Sequence, residues 1–129
     1  MVREQFPGSI IECVEVGAAE AVARTVVEPA SIRPGGYISG PTQFSLADGA
    51  LWYLVFGAID RIEPMAVTSE LSIRFVRPAL GSVLWARARL DSRGRHTVVG
   101  TVTVWVDDRA DRPTSIAQGT YALPRTPST

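Results

Sequence analysis

One acidic side chain interrupts an otherwise apolar stretch of this sequence. Between Pro41 and Ile59, Asp48 is the only charged residue. An isolated carboxylate is costly to bury, so it must be solvated, paired or used. Desolvation also makes a carboxylate a better base, which suits it to activating water. Asp48 is therefore a candidate catalytic base. The alternative is that it faces a water pocket or bonds to neighbouring backbone.

A second candidate lies eight residues earlier, in the run Ser39-Gly40-Pro41. The free N–H groups at the start of a helix lie at the positive end of the helix dipole and can hold an oxyanion. The main-chain N–H of Gly40 is therefore a candidate donor to a developing negative charge. The alternative is that Gly40 only allows the chain to turn into the helix.

Gly40 and Asp48 are too far apart to act on one carbonyl from the same chain. Eight residues of helix rise about 12 Å. If both groups act on one substrate, the N–H of Gly40 comes from one subunit and the carboxylate of Asp48 from its partner. The site would then lie at a dimer interface.

A long helix must position these two groups. Pro41 suits its first turn, Gly57 lies near its end, and the residues between are apolar on nearly every side. Segments with alternating apolar residues precede and follow it. The predicted strands are 10–16, 20–27, 67–76, 83–90, 97–106 and 115–123. The sequence thus predicts an α+β fold, with one curved antiparallel sheet of about six strands wrapped around a central helix.

The sequence predicts a single domain over residues 1–129, with a core at 10–123 and a tail at 124–129 that is expected to fray. One layer of sheet leaves the outer side of an apolar helix uncovered, so a second subunit is expected to bury it. We therefore expect a homo-oligomer, either a dimer or a tetramer.

The composition argues against several classes of protein. Thirteen arginines balance 13 acidic residues and are spread from Arg3 to Arg125, so no basic stripe indicates nucleic-acid binding. The longest uncharged stretch, residues 34–47, contains prolines and glycines and is unsuited to a membrane span. No secretory signal is visible, which indicates a cytoplasmic protein. With one cysteine and one histidine, neither a disulfide nor a zinc site is expected.

Three stretches together form a recognisable pattern. They read PGGYISGPTQFSLADGA at 34–50, VTSELSIRFVRPA at 67–79 and AQGTYA at 117–122. In this order and spacing they resemble the hotdog-fold acyl-CoA thioesterases of the phenylacetate-pathway type, in the branch similar to 4-hydroxybenzoyl-CoA thioesterase. The signature of that family is Gly-X-X-His-Gly-Gly, six variable positions and then Asp or Glu. The resemblance extends from about Ile10 to Leu123.

This resemblance implies hydrolysis of an acyl-CoA thioester, with coenzyme A as part of the substrate and no other cofactor. The N–H of Gly40 would hold the carbonyl oxygen, and Asp48 of the other subunit would act as base or nucleophile. Thr68 matches a position where some relatives carry a Ser or Thr that orients water. An ordinary strand threonine is the alternative.

The sequence departs from the family signature at several positions. Ser39 replaces the histidine, Pro41 replaces the second glycine and lacks its N–H, and Arg33 stands where human-type relatives carry a catalytic Asn. Ser39, Trp52 and Phe75 are candidates for contacting the substrate. The bulk of Trp52 is expected to fill part of the acyl pocket.

Three arginines are candidates for holding the phosphates of coenzyme A. Arg93 and Arg95 flank a glycine in a predicted turn where similar proteins bind those phosphates, and Arg77 precedes a second turn. The alternative is that Arg93 and Arg95 are solvated charges and that Arg77 caps its turn.

Two other functions stay open at the level of sequence. Because the His-Gly-Gly pattern is lost, the chain could be a hotdog domain that binds an acyl-CoA or related ligand without hydrolysing it. A hydratase of the same fold is disfavoured, because it usually needs an Asp and a His a few residues apart. His96 has no acid just before it at that spacing.

Overall fold

The computed structural model describes residues 11–124, which form one antiparallel sheet and one long helix. The strands are β1 (Glu12–Val16), β2 (Glu20–Val26), β3 (Val67–Phe75), β4 (Val83–Arg93), β5 (Thr97–Val106) and β6 (Ser115–Ala122). The helix, α1, is Gly40–Ile59, and a short 3-10 helix at Pro29–Ser31 precedes it. The order across the sheet is β1-β2-β4-β5-β6-β3, and α1 contacts all six strands. The predicted α+β class, with one sheet around one central helix, is confirmed.

The helix begins and ends with identifiable caps. The hydroxyl of Ser39 accepts a hydrogen bond from the main-chain N–H of Thr42 at 3.2 Å, and Pro41 occupies the first turn. Asp60 ends the helix in the left-handed conformation, with φ of 58°. Helix α1 therefore starts one residue before the predicted Pro41 and continues past Gly57. Among residues 11–124, no helix is both long and apolar enough to cross a membrane.

Two glycines let the helix press closely onto the centre of the sheet. Gly100 of β5 and Gly119 of β6 are direct cross-strand partners. A Cβ atom would lie 2.7 Å from Leu51 Cδ1 if added to Gly100, and 2.8 Å from Leu51 Cδ2 if added to Gly119. Leu51 is fully buried as a result. These contacts set the distance between α1 and the middle strands.

The chain covers more of its own helix than the sequence analysis expects. Leu46, Ala50 and Tyr53 are all buried within a single chain. The open strip of α1 is narrow and includes the exposed Phe44 and the half-buried Asp48. The helix therefore presents a carboxylate, rather than a broad apolar face, at its open side.

One observed strand end differs from its prediction by several residues. Strand β4 continues to Arg93, three residues beyond the predicted end at Leu90, with an irregularity in its pairing between Leu90 and Ser92. The predicted strand start at Ile10 and residues 125–129 of the predicted frayed tail at 124–129 lie outside the described residues.

Candidate active site

Asp48 lies in the third turn of α1 and lines an open cleft of about 390 Å³. The carboxylate is half-buried. The cleft is lined by parts of the helix, the segment before β3, the start of β3 and the end of β6. Its lining residues are Ile11, Ser45, Asp48, Gly49, Trp52, Pro64, Ala66, Val67, Thr68 and Tyr121. A small ligand group can therefore reach the carboxylate from solvent.

Two hydroxyl groups hold the carboxylate of Asp48 by the same oxygen. The hydroxyl of Thr68 donates to Oδ1 at 2.8 Å, and the phenol of Tyr121 donates to Oδ1 at 2.8 Å. The same phenol oxygen lies 3.2 Å from the main-chain oxygen of Asp48. Within the described part of the chain, Oδ2 has no hydrogen bond and the carboxylate has no cationic partner. The two hydrogen bonds thus orient the side chain of Asp48, which forms no ion pair with a described residue. Its Oδ2 is available for chemistry.

Tyr121 acts in this arrangement as a neutral donor. Burial is the largest cause that raises the pKa of its phenol, the hydrogen bond with Thr68 lowers it, and the nearby charge of Asp48 raises it. Together these effects raise the pKa of Tyr121 well above its usual value of 10.0. Because the phenol keeps its proton, it can donate to Asp48 over the whole physiological range.

A β-bulge brings Thr68 to the helix side of the sheet. Thr68 pairs with Tyr121 and Glu70 pairs with Thr120, so the register shifts and Ser69 is the extra residue. Strict alternation would put Thr68 on the opposite face from Leu71, which packs on the core. The bulge lets both residues face α1. Bulges of this kind often re-aim a side chain beside a functional site.

Tyr121 is the functional residue that the sequence analysis missed. It is 4% exposed and follows Ser115, Ala117 and Gly119 at period two along β6, on the face that meets the helix. Its signal in the sequence was a hydroxyl-bearing side chain on a strand face that is otherwise made of small residues. That signal shows that the phenol needs a partner, but not which one.

Gly40 lies at a different cleft from Asp48. It is the first residue of α1, and its N–H makes no backbone hydrogen bond to any of the residues that the structure describes. Its cleft has a volume of about 420 Å³ and is lined by Tyr37, Ile38, Gly40, Gln43, Phe75, Arg77, Pro78 and Ala79. The two clefts share no residue. Within one chain, therefore, Gly40 and Asp48 do not face a common space.

The predicted substrate-contacting residues are distributed between these clefts. Trp52 lines the Asp48 cleft one turn after the carboxylate, with its ring centroid 4.9 Å from that of Phe56. Phe75 is 52% exposed and lies against Gly40, where an added Cβ would be 3.1 Å from the ring. Ser39 is buried, and its hydroxyl lies 2.7 Å from the hydroxyl of Thr42 as well as capping the helix. A contact between Ser39 and substrate stays a prediction.

Arg77 is separated from the other two predicted coenzyme A arginines, Arg93 and Arg95. Arg77 is exposed beside the Gly40 cleft, and its guanidinium donates to the main-chain oxygen of Pro113 at 3.0 Å. Arg93 and Arg95 are exposed at the tip of the β4–β5 hairpin and line neither the Asp48 cleft nor the Gly40 cleft. Across the described range, no three His, Cys, Asp or Glu side chains are grouped so as to hold a metal ion.

Comparisons with known proteins identify relatives. A family model described as the thioesterase superfamily matches residues 35–112. No curated protein matches the sequence significantly. A crystal structure from Silicibacter sp. TM1040, of a protein provisionally named a thioesterase, is 31% identical, and the alignment covers 96% of this chain and 87% of that chain with a TM-score of 0.82.

More distant structures share the fold. The PaaI protein from the phenylacetic acid degradation operon of E. coli is 22% identical, over 89% of this chain and 80% of that chain, with a TM-score of 0.76. A protein of Streptococcus mutans UA159 that was crystallised bound to acetyl CoA is also 22% identical. That alignment covers 92% of both chains with a TM-score of 0.76.

Proposed function

Because the chain belongs to the thioesterase superfamily, we propose that it hydrolyses the thioester bond of an acyl-CoA at a site formed by two copies of the chain. The observation that supports this most directly is the geometry of Asp48. Its Oδ1 accepts hydrogen bonds from Thr68 and Tyr121, and its Oδ2 is left unbonded beside an open cleft. A carboxylate held in this way is suited to taking a proton from water or attacking a carbonyl.

Strand β3 supplies the surface through which two copies would pair. It lies at the edge of the sheet, and its terminal side chains Val67 and Phe75 are 56% and 52% exposed. An exposed edge strand with apolar side chains favours pairing with another strand. We infer that β3 pairs antiparallel with β3 of a second copy, related by a two-fold axis.

This pairing would combine the two half-sites. Thr68 and Phe75 lie at opposite ends of β3, seven residues or about 24 Å apart. Asp48 is next to Thr68, and Gly40 is next to Phe75. An antiparallel pair of β3 strands places the Phe75 end of one chain beside the Thr68 end of the other. The separation of the Gly40 and Asp48 clefts within one chain is consistent with this arrangement.

The reaction follows from the chemistry of the two groups. The N–H of Gly40, at the positive end of α1, donates to the thioester oxygen as negative charge develops there. As a base, Asp48 of the partner subunit takes a proton from water while that water attacks the carbonyl carbon. The C–S bond then breaks, releasing the carboxylic acid and the thiolate of coenzyme A. A thiolate is a good leaving group, so the step needs no strong acid.

A kinetic comparison tests this proposal. Thiol release is measured from short, medium, long and aryl acyl-CoAs with the wild type, Asp48→Asn and the control Asp60→Asn. Asp60 is exposed at the end of α1 and away from the Asp48 cleft. We expect Asp48→Asn to lose about 10²- to 10⁴-fold in kcat, which is the usual contribution of a general base. Full turnover by Asp48→Asn would exclude the mechanism.

A second candidate function is the binding of an acyl-CoA without hydrolysis. It is favoured by the departures at the start of α1, where the hydroxyl of Ser39 caps the helix and Pro41 has no N–H to donate. Of the three positions that match His-Gly-Gly, Gly40 alone offers a free amide. This function predicts saturable acyl-CoA binding with no thiol release from any member of the panel.

A further inference from the structure

We propose that Trp52 restricts this protein to short acyl chains, because its ring closes the Asp48 cleft on the side toward the C-terminal end of α1. The inference rests on the proposed function and specifies the substrate class of the same site. Trp52 lines the Asp48 cleft, and its ring centroid lies 4.9 Å from that of Phe56. Phe56 lines a second cleft of about 630 Å³, the helix-end cleft. The two rings therefore lie between the two clefts.

Both clefts follow the same side of α1. Residues spaced three or four apart share one side of a helix, and the residues that line the two clefts continue one such series. In chain order the series includes Ser45, Asp48, Gly49 and Trp52 in the Asp48 cleft, then Phe56, Gly57 and Asp60 in the helix-end cleft. The clefts have no lining residue in common. They therefore lie one after the other along α1, on either side of the Trp52–Phe56 pair.

The same two segments of the chain flank both clefts. Ile11 lies against Gly49 at the Asp48 cleft, where an added Cβ would be 3.0 Å from Ile11 Cδ1. At the helix-end cleft, the main-chain oxygen of Gly17 lies so close to Gly57 that an added Cβ would overlap it. Strand β1 joins Ile11 to Gly17 along this wall. The opposite wall is formed by residues 60–68, which line the helix-end cleft first and then the Asp48 cleft. The clefts are thus two parts of one groove, divided by the two aromatic rings.

The acyl chain is the part of the substrate that suits this groove. Away from the carboxylate and the hydroxyl groups, the Asp48 cleft is lined by the apolar residues Ile11, Trp52, Pro64, Ala66 and Val67. Burial of an apolar chain there is favourable, whereas the charged nucleotide end of coenzyme A would lose its hydration. Trp52 is four residues or about 6 Å beyond Asp48 along the helix, and the groove continues for about 12 Å more, to Asp60. An acyl chain with its carbonyl at Asp48 therefore meets the ring of Trp52 after a few carbon atoms.

A chain-length series tests this inference. The ratio kcat/KM is measured for acetyl-, butyryl-, hexanoyl-, octanoyl- and decanoyl-CoA with the wild type, Trp52→Ala and the control Trp85→Ala. Trp85 is a half-buried tryptophan of β4 that lines neither cleft and lies beneath the guanidinium of Arg24. The wild type should lose activity beyond hexanoyl-CoA. Trp52→Ala should instead gain about fourfold in kcat/KM for each further CH₂ that the opened groove buries. Trp85→Ala should keep the wild-type profile.

A second variant covers the case in which Trp52→Ala does not fold. Trp52→Leu keeps an apolar side chain but removes the ring, so it should shift the profile in the same direction by a smaller amount. A folded variant whose activity still falls beyond hexanoyl-CoA as in the wild type would overturn the inference. Wild-type turnover of decanoyl-CoA as fast as that of butyryl-CoA would overturn it as well.

Binding measurements separate this inference from the proposed function. Dissociation constants for the same acyl-CoAs are measured by calorimetry with Asp48→Asn and with Asp48→Asn/Trp52→Ala. Tighter binding of octanoyl- and decanoyl-CoA only when Trp52 is replaced supports the inference even if the wild type releases no thiol. Turnover that depends on Asp48, with a chain-length profile that does not depend on Trp52, refutes this inference alone.

Discussion

The phenol of Tyr121 lies 2.8 Å from Oδ1 of Asp48, and both groups belong to elements that are far apart in the sequence. Tyr121 is the direct cross-strand partner of Thr68, the second residue that bonds the same oxygen. The β3–β6 pair thus presents two adjacent hydroxyl groups to one carboxylate on α1. This relationship explains how the helix can expose a charged residue at its open side.

Replacing Tyr121 by Phe should lower kcat about tenfold with little change in KM. The substitution keeps the ring in the core but removes one of the two donors that orient Asp48, and a hydrogen bond to a charged group contributes about 1.5–3 kcal/mol. Steady-state kinetics on the best acyl-CoA measure the effect. Tyr53→Phe is the matched control, because the phenol of Tyr53 donates instead to the main-chain oxygen of Ile11 at 3.3 Å. An equal loss in both variants would argue for a general packing effect.

The stability of the protein should fall as the pH rises above about 10, partly because of Tyr121. Burial raises the pKa of this phenol in the folded state, so the unfolded state loses its proton first. Folding is therefore favoured fully below the ordinary tyrosine pKa and less as the pH rises toward the folded-state value. Denaturant unfolding at pH 8 to 11 should show a shallower decline for Tyr121→Phe than for the wild type. Parallel declines would contradict the assignment.

Replacing Gly40 by Pro should lower kcat about 10²- to 10³-fold, because it removes the N–H proposed to bind the oxyanion. The backbone is suited to this change, since Ser39 has φ of −65° and ψ of 152°, and proline is tolerated in the first turn of a helix. Gly40→Ala keeps the N–H and meets the same ring of Phe75 at 3.1 Å. Gly40→Ala should therefore retain most of the activity that Gly40→Pro loses.

The Gly40→Pro variant also allows a direct test of a site shared between subunits. If Gly40 and Asp48 come from different chains, mixing Gly40→Pro with Asp48→Asn restores one complete site in each mixed dimer. Random pairing after joint refolding should recover about one quarter of wild-type activity. A mixture of Asp48→Asn with Asp48→Ala should recover none. No recovery in the first mixture, with mixed dimers present, would place both groups in one chain.

Replacing Gly119 by Ala should lower the free energy of unfolding by about 1–3 kcal/mol, the usual effect of overpacking a core. The added Cβ would lie 2.8 Å from the main-chain oxygen of Glu70, which cannot move without disturbing β3, and 2.8 Å from Leu51. Thermal or denaturant unfolding measures the loss. At Gly17 the nearest atom to an added Cβ is 3.7 Å away, so Gly17→Ala serves as the control and should be close to neutral.

Much of the fold could be predicted because its signals are local. Alternating apolar residues mark β5 and β6 close to their observed bounds, and the apolar run after Pro41 marks α1. The largest strand error occurs where hydrogen bonding to a neighbour extends an element. Strand β4 reaches Arg93 because Ser92 and Arg93 pair with Val99 and Val98, although their own side chains are polar. Composition alone predicts a turn at such residues.

Some residues of the candidate site could likewise be found from local signals, whereas others come together only in the fold. Asp48 could be found from the sequence because a single charge in an apolar helix is costly and conspicuous, and Gly40 because a helix start is readable from Ser39 and Pro41. The family resemblance added Thr68, but period-two alternation would have turned it away from the helix. Only the bulge at Ser69 brings Thr68 to Asp48, and a bulge is set by how two strands pair rather than by either strand alone.

Tertiary structure also decided the partners of the remaining side chains. Tyr121 reaches Asp48 across 73 residues of sequence, and Arg77 meets the main-chain oxygen of Pro113 because β3 and β6 are neighbours in the sheet. Periodicity tells which face of a strand a residue occupies, and charge tells that it needs a partner. Neither tells which distant residue is opposite, because that depends on strand order and register, which are set by the packing of the whole core.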